Sequence, residues 1–105
     1  MIRHIVFFTA KPENIDRVRA GLSLLTENPH AAVLEIGTNM KTDLFGNEVD
    51  FVVYGEFEDE AALAAYKAHP VYRQSINIVR PVREMRIAAD YDCTTAAKTV
   101  FPLVR

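Results

Sequence analysis

A chain of 105 residues with a net charge of −2 is sized for one domain, and without a basic cluster beside its aromatic residues it is not expected to bind nucleic acid. Half of its residues are hydrophobic and a quarter charged, the balance of a soluble globular protein rather than of a disordered or membrane-spanning chain. Cys93 is the single cysteine, which excludes an intrachain disulfide and points to a reducing, cytoplasmic setting.

The first apolar run is too short to cross a membrane, and it reads as a strand over residues 2–10 rather than as a signal peptide. Its two faces are both largely apolar: His4, Val6 and Phe8 on one, Ile5, Phe7 and Thr9 on the other. After a turn through Lys11 and Pro12, Ile15, Val18, Leu22 and Leu25 recur at helical spacing and predict a helix over 15–26. Gly21 interrupts that helix and weakens it by about 1 kcal/mol relative to alanine. Extended chain is expected over 31–39 and an exposed loop over 40–48, around Asp43, Gly46 and Asn47. Strict alternation then predicts a strand over 49–57, with Phe51, Val53 and Phe57 opposite Val52, Tyr54 and Glu56.

Asp59 is a good N-cap for a helix over 59–68, and His69-Pro70 ends it, since proline disfavours helical geometry in the residue before it. A shorter helix follows over 70–79 with Pro70 in its first turn. The last strand is expected from Val82 or Arg83 to Tyr91. Residues 93–105 form a tail ending in the apolar run Val100-Phe101-Pro102-Leu103-Val104, expected to pack on a partner.

The order is β-α-β-β-α-β, with the second helical segment broken in two. This is the α+β, ferredoxin-like arrangement of a four-stranded antiparallel sheet with helices on one face. Strands with two apolar faces need cover on both. Two copies packing open face to open face, as a homodimeric α/β barrel, meet that need.

Several residues at this point resemble one family. They are Ile2-Arg3-His4-Ile5-Val6-Phe7-Phe8, Gly37-Thr38-Asn39, the Val53 to Asp59 entry into a helix, Tyr66-Lys67-Ala68-His69-Pro70, and Ala89-Asp90-Tyr91. Over residues 1–92 the chain resembles the stress-responsive A/B barrel (Dabb) domain proteins. The resemblance implies the dimeric α+β barrel fold and an activity that is unassigned in most members. Some plant members are polyketide cyclases that carry out aldol condensation without a metal or organic cofactor, and related barrels are monooxygenases. Carried over by position, the helix tyrosine of the cyclases is Tyr66 and their first-strand histidine is His4. Two positions after the proline, where the cyclases have a histidine, this chain has Tyr72. Tyrosine, with an ordinary pKa near 10, is a poor general base at neutral pH.

His4, Tyr66 and Tyr72 are therefore the candidates for catalysis. Each also has a structural reading: His4 as a strand histidine held by a hydrogen bond, the tyrosines as core residues with hydroxyls at the rim. A ligand pocket is expected among these three with Val6, Phe8, Leu22 and Val53. His69 and Arg86 join that expected pocket, His69 with an alternative as a cap across its corner. Arg86, inside a strand, needs an anion: Glu56, Glu84 or a ligand carboxylate. No metal site is expected, since His4, His30 and His69 are dispersed, and no organic cofactor motif is present. The expectation is a homodimer holding a small apolar or aromatic molecule; the alternative is a cofactor-independent enzyme, cyclase-like or monooxygenase-like, on an enolisable or aromatic substrate.

Overall fold

The computed structural model describes residues 1–102. Its elements run β1 (Ile2–Ala10), α1 (Ile15–Ser23), β2 (Val33–Thr38), β3 (Phe51–Phe57), α2 (Glu60–Ala68), α3 (Pro70–Val79) and β4 (Arg83–Asp92). The strands form one antiparallel sheet in the order β2-β3-β1-β4. Each helical crossover joins two strands that are separated in the sheet by a third. This is the split β-α-β topology that the order of elements predicts.

One face of the sheet carries the core. His4, Val6 and Phe8 of β1 and Phe51, Val53 and Phe57 of β3 are buried there, under Val18 and Leu22 of α1, Leu63 and Tyr66 of α2 and Val79 of α3. The opposite face is open. Register places Phe7 between Val52 and Ile87 on that face, and Phe7 and Ile87 are 39% and 54% exposed, so an apolar row lies uncovered in the single chain.

The first helix is shorter than its apolar periodicity predicts. Single 3-10 turns, Pro12–Asn14 and Leu24–Glu27, flank the α-helical part, a common way to tighten helix ends. Gly21 has a packing reason to interrupt it. A β-carbon there would stand 2.7 Å from Val79 Cγ2 and 2.8 Å from Ile78 Cγ2, so glycine is what lets α1 and α3 approach. The strand expected from residue 49 begins at Phe51 instead. Asn39 Nδ2 takes the carbonyls of Gly46 (3.1 Å) and Val49 (2.8 Å), and the Asp50 carboxylate accepts from the backbone of Ala10 at 2.8 Å. Side chains thus take the Ala10 N–H and the Val49 carbonyl, while the Asp50 backbone still pairs with Phe8 and Asn39.

Val100 and Phe101 of the tail are each 81% exposed, and Leu103 and Val104, expected to continue the apolar arm, lie outside the described residues. Among the described residues no helix is long and apolar enough to cross a membrane.

Candidate functional site

The corner between α2 and α3 is built from local chemistry. Asp59 accepts from the backbone of Ala62 at 2.8 Å and starts α2. His69 is extended (φ −70°, ψ 143°), as a residue before proline prefers. Its Nδ1 accepts from the backbone of Val71 at 3.1 Å, so His69 caps the start of α3. The carbonyl of Tyr66 accepts from the backbone of His69 at 3.3 Å and from Asn28 Nδ2 at 2.9 Å, which fixes the end of α2 against the turn after α1. The corner aims Tyr66 and Tyr72 at each other, with ring centroids 5.1 Å apart.

A cavity of about 360 Å³ opens between the sheet and the helices. Its floor includes His4, Val6, Phe8 and Val53, and its helical wall includes Leu22, Tyr66 and Tyr72. Arg86 stands at the β4 side. His69 is not among the lining residues, a correction to its expected place in the pocket: its ring is engaged at the α3 cap. It lies instead beside His30, ring centroids 5.7 Å apart. Among the described residues no three His, Cys, Asp or Glu side chains come together as a metal site.

His4 is 2% exposed and sits edge-on to Phe57 and Tyr66. Across the β1–β4 ladder it lies opposite Asp90, and its Nδ1 meets Asp90 Oδ1 at 2.5 Å. A carboxylate that accepts from Nδ1–H leaves Nε2 as the free, basic nitrogen of the neutral ring. Nε2 makes no hydrogen bond to the described residues, and His4 lines the cavity. The half-exposed Asp90 was legible only as part of a family motif; what gives it a role is the strand register, which places it opposite His4.

Tyr66 is 1% exposed. Burial, and then the neighbouring Tyr72, push its phenol well above the ordinary tyrosine value, with Arg86 opposing. It is protonated at neutral pH, so its chemistry in the cavity is to donate a hydrogen bond. It has no role as a base.

Arg86 has a different setting from the one expected. Glu56 lies on the open face of the sheet, where it accepts from the Tyr54 hydroxyl at 2.5 Å. Glu84 faces Lys11 at 3.8 Å. Neither pairs with Arg86, which forms no ion pair among the described residues. Arg80, Arg83 and Lys67, passed over in the sequence, also line the cavity.

The sequence model of a family described as the stress responsive A/B barrel domain matches residues 2–93. No curated protein matches the chain. Among solved structures, the chain is similar to a dimeric ferredoxin-like protein of unknown function from Thermobifida fusca, with 26% identity, TM-score 0.72, and coverage of 86% of this chain and 88% of that one. A dimeric ferredoxin-like protein of unknown function from Jannaschia shares 20% identity at TM-score 0.76, over 87% of this chain and 97% of the other. A structure described as an antibiotic biosynthesis monooxygenase shares 20% identity at TM-score 0.70, over 89% and 98% of the two chains. The two less similar structures speak to the fold alone.

Proposed function

The chain belongs to the stress-responsive A/B barrel domain family, and from that footing we propose that it binds a small apolar or aromatic molecule in the cavity between sheet and helices. The observation that supports this reading is the cavity itself: about 360 Å³, walled by Val6, Phe8, Leu22 and Val53, with polar groups of His4, Tyr66 and Tyr72 at its sides. A concave site with an apolar floor and polar groups converging from its walls is the usual form of a small-molecule site. Thermal-shift screening with aromatic acids and phenols tests it. A stabilising ligand is expected, and Tyr66→Phe is expected to remove most of its shift; a full panel without any shift would sink the reading.

The protein is further proposed to act as a homodimer, with the open sheet faces of two copies in contact and the described part of the tail, residues 93–102, laid on the partner. The uncovered row of Phe7, Val52 and Ile87 supports this, as does the description of two similar structures as dimeric.

The His4–Asp90 pair favours a second reading, cofactor-independent proton transfer on an enolisable substrate. In it, His4 Nε2 removes a proton from the carbon beside a carbonyl, Asp90 stabilises the imidazolium formed, and the Tyr66 hydroxyl donates to the enolate oxygen. Deuterium uptake from heavy water into an enolisable aryl ketone, followed by NMR, is the assay. Asp90→Asn is expected to slow uptake by about 10²-fold or more, the low end for a general-base effect. Uptake equal to that of buffer alone in the unsubstituted protein removes this reading and leaves the binding one.

A further inference from the structure

Four cationic side chains line the cavity, Lys67, Arg80, Arg83 and Arg86. They come from three places: α2, the C-cap of α3 and the edge strand. In a regular strand Arg83 and Arg86 would point to opposite faces, since side chains alternate. The ladder prevents that here. Phe8 pairs with Arg86 while Ala10 pairs with Arg83, so β4 spends three residues where β1 spends two. This bulge, where the Met85 backbone donates to Thr9 Oγ1 at 3.0 Å, returns Arg83 to the cavity face.

The glutamates nearest in sequence or on neighbouring strands are turned elsewhere, Glu56 to the other sheet face and Glu84 to Lys11. Asp90 is held by His4. The pKa of Arg83 is lowered, by burial first and then by the neighbouring charges of Arg86 and Arg80, which agrees with these guanidiniums lying close together. Like charges gathered at a partly desolvated rim are unfavourable unless something negative joins them.

We propose that Arg80, Arg83 and Arg86 form an anion clamp at the cavity's mouth, so that the ligand is an organic anion whose apolar or aromatic body fills the cavity and whose carboxylate or phosphate head is held by these guanidiniums. The planar fork of arginine suits both heads. This rests on the cavity being a ligand site, and it adds the charge class of the ligand. It also gives the bulge a role, because without it only Arg86 of β4 would face the cavity.

The test is calorimetric titration of the full chain with 2-naphthoate, 2-naphthyl phosphate and the neutral 2-naphthamide. At least one anion is expected to bind about tenfold or more tighter than the amide. Arg86→Gln and Arg80→Gln, both at exposed positions, are expected to remove most of that preference, with circular dichroism and an unchanged thermal midpoint showing that the variants are folded. Equal affinity for amide and anions overturns the clamp while leaving the cavity reading intact. Anion binding indifferent to both substitutions overturns it as well. No binding by any of the three probes defeats the cavity reading, and the clamp falls with it. Between the anions, the tighter one identifies the head.

Discussion

Tyr66 shows how one side chain serves both packing and chemistry. Its ring packs edge-on against Phe57 and Tyr72 at 4.8 and 5.1 Å, contacts worth about 0.5–1.5 kcal/mol each beyond burial. Its hydroxyl has no hydrogen-bond partner among the described residues. Because burial raises its pKa, the folded state favours the neutral phenol relative to the unfolded chain. That stability is fully present below the unfolded value, about 10, and is lost as pH rises through the folded value. Urea midpoints should therefore fall above about pH 10, and Tyr66→Phe should show a shallower fall. Equal slopes in the two proteins would contradict the assignment. Residue identity made His4 and Tyr66 visible as candidates; it could not show Asp90 as the partner of His4, because 86 positions separate them and only the β1–β4 register brings them together.

Among the elements, the α1–α3 contact is the one most dependent on a single atom. Gly21→Ala gains about 1 kcal/mol of helix propensity. Against this stands overpacking of about 1–3 kcal/mol, because the new methyl meets the stiff, β-branched Ile78 and Val79. A net loss is expected, read as a lower urea midpoint with an unchanged m-value. A higher midpoint would mean that the two helices separate freely. The helix over 70–79 was legible to the residue, since Pro70 and His69 are local signals with local effects. The bulge in β4 was not, because it depends on what β1 offers across the ladder: Thr9 Oγ1 for the backbone of Met85. Arg83 was overlooked for the same reason.

For the whole molecule, the open sheet face is the proposed seam between two copies. Phe7 and Ile87 are exposed in the single chain, so replacing either with a charge does not disturb the core and acts only on a partner. Static light scattering of the full chain is expected to return the mass of two chains, and Ile87→Asp the mass of one. A monomer in the unsubstituted protein would leave the apolar row without a reason. What the sequence by itself determined is the order of elements, the helix breaks, the core faces and the family, because these follow from nearest-neighbour backbone preferences and from periodicities of about 2 and 3.6 residues. What only the tertiary structure decided is which side chains meet: His4 with Asp90, Arg83 with Arg86 on one face, and His69 turned to its own helix rather than to the cavity. Those pairings depend on strand register and on one inserted residue in a ladder, and neither leaves a periodic trace along the chain.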